Sequence, residues 1–118
     1  MNIKYKINRL LQEIEVSDRK EGYVKIYPNN SPQHELIKFL IADKLKRKGF
    51  KVYSECRFTQ NRGKADLVVI SPEAKGFVIE IMGSETEERL EKKMCKYPME
   101  FEIIPVNTSN FHIETFEI

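Results

Sequence analysis

Residues 64–82 read KADLVVISPEAKGFVIEIM, and this stretch decides the fold. Two apolar runs rich in β-branched residues, 65–70 and 77–82, flank SPEAKG at 71–76, which is typical of a turn. The pattern therefore predicts two adjacent antiparallel strands. Each run carries one acid, Asp66 in the first and Glu80 in the second. Burial of an ionised carboxylate costs free energy because the group loses its hydration, so both acids need an explanation.

The pairing register of the two strands determines whether the acids meet. Opposed residues of an antiparallel pair lie on the same face, so Asp66 faces Glu80 if Ile70 pairs with Gly76. A shift of one residue sends the two side chains to opposite faces. Facing carboxylates repel each other unless a cation lies between them, and a divalent cation is the usual remedy. The pair indicates a metal-dependent hydrolytic site. The alternative is that Asp66 begins its strand at the solvent edge and Glu80 points outward.

The rest of the chain predicts three helices and two more strands around this pair. Apolar residues at helical spacing mark the helices, Ser31 and Pro32 suit the start of the second one, and Gly49 suits its end. The predicted elements are a helix over 4–15, a helix from 31 to about 48, a strand over 51–58, a polar loop over 59–64, a helix from about 85 to 97, and a strand over 101–106. This order predicts an α/β fold with a core of helix, strand, strand, strand, helix and strand, in which helices flank a mixed sheet, and an extra N-terminal helix.

Two other segments are less regular. Residues 23–27 alternate between polar and apolar side chains and predict either a strand or an extended arm. Residues 111–118 also have strand-like alternation, with a phase slip near Thr115. Four large apolar side chains in this tail need cover, so we do not expect it to be disordered.

Length and composition bound the class of protein. The chain has 118 residues, and we expect one domain over 1–118 with a single core. A hydrophobic content of 41% and a charged content of 32% suit a soluble globular protein. Cys56 and Cys95 are too few for a disulfide scaffold or a four-thiolate zinc site, so we expect two reduced thiols. Because the chain has no bilayer-spanning apolar run, signal-peptide pattern or nucleotide-binding motif, we expect a cytoplasmic protein without membrane or nucleotide cofactor.

Three acids and their flanking residues resemble a known family. Glu35 on the second predicted helix, GKADLVVI at 63–70 and VIEI at 78–81, followed by a helix, resemble the restriction-endonuclease-like nuclease superfamily, the PD-(D/E)XK group. The resemblance covers roughly residues 31–106, and within the group the chain is most similar to the small archaeal-type Holliday junction resolvases. It implies a restriction-endonuclease-like core and hydrolysis of DNA phosphodiester bonds with Mg²⁺ or Mn²⁺.

The resemblance also implies roles for the three acids. Asp66 and Glu80 would be catalytic ligands of the metal ion, and Glu35 would complete its ligand shell. The chemistry is consistent, because carboxylate oxygens hold a hard cation that polarises a phosphate and activates water. Glu35 has a second explanation, since an acid near a helix N-terminus is favoured by the helix dipole.

One position departs from the family pattern. The family has a lysine two residues after the second acid, and this chain has Met82, whose thioether cannot neutralise a phosphate oxygen. Lys93 is the first candidate to replace that lysine, because it lies within an apolar helical stripe formed by Thr86, Leu90, Met94 and Tyr97. Its ammonium would reach the two acids, or its stem would lie on the core edge while its head reaches water. Lys64, two residues before Asp66, is the second candidate.

The basic residues favour DNA as the partner. Net charge is only +2, so the distribution of the basic residues matters more than the total. Phosphate contacts by such side chains give affinity without sequence specificity. The predicted nucleic-acid-binding residues are Arg57, Arg62, Lys64, Lys48 and Lys51. His34 and His112 have no partner at metal-ligand spacing, so we expect both to be structural.

Three functional hypotheses follow from the sequence. The first is a Mg²⁺-dependent endodeoxyribonuclease, with Lys93 or Lys64 assisting the two acids. The second is a DNA-binding or assembly module that keeps the nuclease fold with an impaired site, because Met82 replaces the expected lysine. The third is a small interaction protein in which the acids are structural. We also expect a homodimer, since one small domain presents little surface to a DNA duplex and the apolar tail needs a partner.

Overall fold

The structure is a computed structural model that describes residues 2–83 and 87–118. In that part of the chain, four strands form one sheet in the order β1-β2-β3-β4. The first three strands pair antiparallel and the fourth pairs parallel to the third. This confirms a mixed α/β fold. The strands are β1 (Lys51–Arg57), β2 (Lys64–Ile70), β3 (Gly76–Met82) and β4 (Phe101–Asn107).

The longest helix begins and ends where its sequence predicts. The helices are α1 (Ile3–Leu11), α2 (Pro32–Arg47) and α3 (Glu87–Lys96). The Ser31 side chain accepts a hydrogen bond of 3.1 Å from the backbone N–H of His34, which caps α2 at its N-terminus. Gly49 follows its C-terminus with a φ of +90°, a conformation that glycine adopts without steric cost.

The other two helices differ from their predicted bounds. Helix α1 ends at Leu11 rather than at residue 15. Ile14, predicted for its apolar face, is instead fully buried and forms an isolated bridge with Phe58. The predicted start of α3 near Glu85, together with Thr86 of the predicted apolar stripe, lies outside the described residues.

Apolar side chains cover both faces of the sheet. Helix α2 packs on one face through Ile37, Ile41 and Leu45, which join one buried cluster with side chains of all four strands. Helix α1 covers the other face through Leu10, and Tyr97 at the end of α3 joins that second cluster. Each large side chain buried in this way contributes about 1.5–3 kcal/mol relative to exposure. The two layers thus enclose the sheet from both sides.

Residues 23–27 form an extended arm and not a strand. The backbone N–H of Lys25 donates to Ser54 Oγ at 2.7 Å, and that hydroxyl donates to the carbonyl of Tyr23 at 2.8 Å. The Ser54 side chain therefore makes the hydrogen bonds that a neighbouring strand would make through its backbone. The arm lies along the free edge of β1. The arm then turns at 28–30 toward the start of α2.

The prediction of strand-like structure in the tail is wrong. Residues 113–115 form a turn, because the Lys44 ammonium donates to the carbonyls of Ile113 (2.8 Å) and Phe116 (2.6 Å) and draws them together. The Phe111 and Phe116 rings lie 6.0 Å apart and pack against the cluster under α2. The tail is thus partly covered by its own chain.

Two simpler expectations concern the cysteines and the membrane. Cys56 is buried and Cys95 is exposed, and both are free thiols, as predicted. Within residues 2–83 and 87–118, none of the helices has the length and apolar character needed to cross a membrane.

Candidate active site

The register that brings the two acids together is present. Ile70 pairs with Gly76, and the antiparallel ladder continues to the pair Leu67 and Ile79. Asp66 comes immediately before Leu67, the first residue of β2 that pairs with β3, and Glu80 comes immediately after Ile79, the last residue of β3 that pairs with β2. Beyond that point the Asp66 carboxylate accepts a hydrogen bond of 2.8 Å from the backbone N–H of Ile81. The side chains of Asp66 and Glu80 are hydrogen bonded to each other.

Burial and mutual repulsion give these two carboxyl groups opposite protonation. Glu80 is 3% exposed, and its burial together with the negative charge of Asp66 raises the pKa of Glu80 to about 8. Burial by itself would raise the pKa of Asp66 as well. Hydrogen bonds from His34, Glu80 and the Ile81 N–H outweigh that effect and hold the pKa of Asp66 below its usual value. Near neutral pH the pair therefore keeps one proton, which lies on Glu80.

Two further side chains hold the acid pair in place. Tyr97 is buried, and its hydroxyl donates to the backbone carbonyl of Lys64 at 3.0 Å and also contacts the Glu80 carboxyl group. His34 Nε2 lies 3.3 Å from Asp66 Oδ2. Burial alone would lower the pKa of His34, but its hydrogen bond to Asp66 and the charge of Asp66 raise that pKa above its usual value. A protonated His34 would therefore offset the charge of Asp66.

His34 was predicted to be structural, and the structure instead places it against Asp66. A signal was available in the helical spacing, because His34 precedes Lys38 by four residues and Ile41 by seven. All three side chains therefore lie on the inward face of α2, and Lys38 and Ile41 are fully buried. A polar residue at the N-terminal end of a buried helical stripe needs a hydrogen-bond acceptor on the sheet that the stripe faces.

Glu35 is engaged away from the acid pair. Its Oε1 accepts hydrogen bonds from the backbone N–H of Tyr27 (3.2 Å) and from the Asn30 amide (2.8 Å), while Oε2 lies 2.5 Å from the Lys38 ammonium. Burial alone would raise the pKa of Glu35, and these bonds to Lys38 and Asn30 lower it instead. Both oxygens hold the turn at 27–30 against α2. Among the residues that the structure describes, no three His, Cys, Asp or Glu side chains are arranged to hold a metal ion.

A buried polar network lies beside the acid pair, and the sequence analysis did not find it. Lys38 is fully buried, and its ammonium lies close to three acceptor oxygens. These are the carbonyl of Lys25 (2.6 Å), Glu35 Oε2 and Glu55 Oε2 (3.1 Å). The other Glu55 oxygen lies 2.9 Å from the Lys64 ammonium. The available signal for Glu55 was its position, because it is an acid inside the strand 51–57, whose inner positions are buried.

A pocket of about 320 Å³ opens beside Asp66. Both candidate catalytic lysines, Lys64 and Lys93, line it together with Asp66 and Lys96. The positive charge of Lys93 also acts on Glu80, where it lowers the pKa against the larger effect of burial. In the predicted apolar stripe on α3, Leu90 and Met94 are half-buried and Lys93 is exposed at the pocket. The aliphatic stem of Lys93 is therefore not enclosed in the core. Met82 is half-buried and pairs with Asn107 of β4.

The predicted nucleic-acid-binding residues fall into two groups. Arg57 pairs with Asp18 at 3.0 Å, Arg62 pairs with Glu13, and Lys64 pairs with Glu55, all at the end of the sheet that carries Asp66. The exposed pair Lys48 and Lys51 lies at the opposite end, because Lys51 pairs with Ile70 at the far end of β1. Lys51 and Arg57 are six steps apart along β1, which is about 20 Å. The structure does not bring the two groups together.

Among the described residues, a carboxyl pair that holds one proton, with Glu80 buried and Asp66 partly buried, lies beside a pocket edged by lysines. An arrangement of this kind can bind a cation through its carboxylates and an anion through its ammonium groups. Comparisons of this chain with known protein families, with curated proteins and with solved structures find no match, so the interpretation of the site depends on its own geometry.

Proposed function

We propose that this chain is a metal-dependent nuclease with a restriction-endonuclease-like core that hydrolyses DNA phosphodiester bonds. The contact between Asp66 and Glu80 carries the proposal. Buried Glu80 and partly buried Asp66 meet where the pairing of β2 with β3 stops, which is costly for a structural role because one of them must hold a proton near neutral pH. A pocket with three lysines opens at the same point, where a phosphate would lie beside the acids.

The donor chemistry of the pair fits a hard divalent cation. Asp66 and Glu80 would hold Mg²⁺ or Mn²⁺ through carboxylate oxygens, and the proton on Glu80 would leave as the cation binds. The bound cation would supply polarisation of a phosphate oxygen and activation of water. The positions of Glu35 and Lys38 do not support Glu35 as a third ligand, since Glu35 Oε1 already accepts two hydrogen bonds and Oε2 lies 2.5 Å from the Lys38 ammonium.

The remaining groups of the site would bind and orient the phosphodiester. The ammonium groups of Lys64 and Lys93 would neutralise the scissile phosphate, in place of the lysine that Met82 replaces. His34 and the Ile81 N–H fix the direction of the Asp66 carboxylate, and Tyr97 fixes Glu80. Attack of water on phosphorus then breaks the bond to the leaving oxygen, and a protonated group or water supplies that oxygen with a proton.

A cleavage assay tests the proposal. Wild-type protein, Asp66→Ala and Asp43→Ala are incubated with plasmid and branched DNA in Mg²⁺ or Mn²⁺. Asp43 is the matched control, because it is an acid on the outer side of α2 that pairs with exposed Arg47. We expect cleavage by wild type and Asp43→Ala and none by Asp66→Ala. Equal cleavage by all three proteins would place the activity elsewhere.

A DNA-binding or assembly module is the second candidate function, and two observations favour it. Met82 stands where the related nucleases have their lysine. In addition, Asp66 and Glu80 already have partners within the chain, in His34 and Tyr97. A wild-type protein that binds DNA with a steep salt dependence and never cuts it would support this function. The dimer is a further proposal, and light scattering that shows a monomer at high concentration would refute it.

A further inference from the structure

We infer that Glu55 is a positioning residue of the site, which holds the Lys64 ammonium at the pocket beside Asp66. The inference rests on the proposed nuclease function and deepens it, because it assigns a role to a residue outside the acid pair. Glu55 is 7% exposed and lines the same pocket as Lys64 and Asp66.

The backbone at Glu55 has an unfavourable conformation in the middle of a strand. Its φ is +50°, a left-handed value that costs free energy for any residue with a Cβ. The neighbouring pairs are regular, since Ser54 opposes Leu67 and Cys56 opposes Ala65. A left-handed residue kept between two regular pairs must be held there by its side chain or its surroundings.

The left-handed residue changes which way the following side chains point. Tyr53 and Cys56 both join the cluster on the α1 side of the sheet, although regular alternation would place them on opposite faces. The phase therefore shifts by one residue at Glu55, and the Glu55 carboxylate reaches Lys38 of α2 on the other face. The unusual φ is what allows this acid to approach both lysines.

Lys38 anchors Glu55 and leaves one oxygen for Lys64. The Lys38 ammonium is fully buried and is held by the Lys25 carbonyl and Glu35. It holds Glu55 Oε2 at 3.1 Å, and Oε1 lies 2.9 Å from the Lys64 ammonium. Two carboxylates and two ammonium groups make the network neutral. The cluster therefore carries no net negative charge that would repel an incoming phosphate.

Lys64 is confined on its other side by an aromatic ring. Its ammonium lies 3.6 Å from the centroid of the Tyr27 ring, and its side chain is 37% exposed. An ammonium fixed before binding loses less conformational entropy when it meets a phosphate than a freely rotating one. Glu55 thus acts through Lys64 and does not itself touch the substrate.

A double-mutant cycle measures this coupling. The kcat and KM for DNA in Mn²⁺ are compared across pH for wild type, Glu55→Gln, Lys64→Ala and the double variant. We expect each single variant to lose tenfold or more in kcat/KM, and the double variant to lose no more than Lys64→Ala. Losses that multiply in the double variant, or wild-type kinetics for Glu55→Gln, would overturn the inference.

Two further measurements separate positioning from folding. Glu55→Gly removes the cost of the left-handed φ, so we expect it to melt at least as high as Glu55→Gln and to be equally impaired. Recovery of activity in the glycine variant would overturn the inference. The acylation rate of the Lys64 amine, measured by mass spectrometry without metal, should rise several-fold in Glu55→Gln, while the rate at exposed Lys51 stays unchanged. An unchanged rate at Lys64 would also overturn it.

If the nuclease proposal itself is wrong, the cleavage assay and the acylation assay give a different combination of results. A wild-type protein that cuts no DNA would overturn both proposals. A raised acylation rate of Lys64 in Glu55→Gln would then identify the contact between Glu55 and Lys64 as structural.

Discussion

The Asp66 carboxylate accepts a 2.8 Å hydrogen bond from the backbone N–H of Ile81, the residue after Glu80. This bond replaces the backbone ladder, whose last pair is Leu67 and Ile79. A side chain bound to the neighbouring backbone has little freedom, so the direction of Asp66 is set by the end of β3. The separation of the two acids is therefore a property of the sheet and not of flexible side chains, which is what a metal site requires.

Metal binding should raise the melting temperature of the wild-type protein and not of Asp66→Asn. A cation that binds only the folded state stabilises it by about 2.7 kcal/mol at one hundred times its Kd. Thermal unfolding in a Mn²⁺ titration measures this, with Asp43→Asn as the control that keeps the effect. An equal increase in Asp66→Asn would mean that Mn²⁺ binds elsewhere.

The free energy of unfolding should fall as the pH rises from about 5 to about 8. Burial raises the pKa of Glu80 from its usual value of 4.5 to about 8, so in this range the folded state holds a proton that the unfolded state has lost. The stabilisation is complete below the unfolded pKa and disappears as the pH passes the folded value. The raised pKa of His34 acts in the same direction.

The variant Glu80→Gln removes the titrating group and isolates its contribution. We expect Glu80→Gln to be more stable than wild type at pH 9, by at least about 1 kcal/mol or roughly 3–6 °C. Its melting temperature should also change less between pH 5 and 8. Scanning calorimetry at a series of pH values measures both effects, and parallel pH curves for the two proteins would contradict the raised pKa.

Local sequence was sufficient to predict the hairpin of the acid pair. The turn at 71–76 and the two apolar runs predict two adjacent antiparallel strands, and Ser31 with Pro32 predicts the start of α2. The pairing of Ile70 with Gly76 was one of the registers that the sequence left open, and the structure has it. The order of elements followed from the same signals. These predictions needed no knowledge of distant contacts.

The features that the sequence did not predict all depend on distant partners. Ile14 leaves its helix because Phe58, 44 residues later, pairs with it. The tail turns because Lys44 binds its carbonyls, and alternation alone cannot reveal that contact. Lys38 is fully buried because it meets the carbonyl of Lys25 and the carboxylate of Glu55, 13 and 17 residues away, whereas a helical lysine is ordinarily solvated.

Loss of the buried Lys38 ammonium should destabilise the protein strongly. Lys38→Met leaves Glu35 and Glu55 buried without their shared cation, and breaking a buried ion pair costs about 3–5 kcal/mol. Lys46→Met is the matched control, because Lys46 pairs with Glu21 with half of its side chain exposed, and such pairs contribute at most about 1 kcal/mol. Urea unfolding compares the two variants, and equal losses would show that the network contributes nothing beyond a surface pair.

The proposed mechanism needs a lysine at the site, and we expect a lysine on either α3 or β3 to supply it. Lys93→Ala should lower kcat by on the order of 10²-fold, as loss of a group that stabilises transition-state charge does. Lys96→Ala is the control. Lys96 lines the same pocket, and its loss should affect mainly KM. Met82 lies two residues after Glu80, so a lysine there shares its strand face. Met82→Lys should therefore restore activity to Lys93→Ala. Wild-type kcat in Lys93→Ala would remove Lys93 from the mechanism, and failure of Met82→Lys to rescue a folded Lys93→Ala protein would show that the position on α3 is itself required.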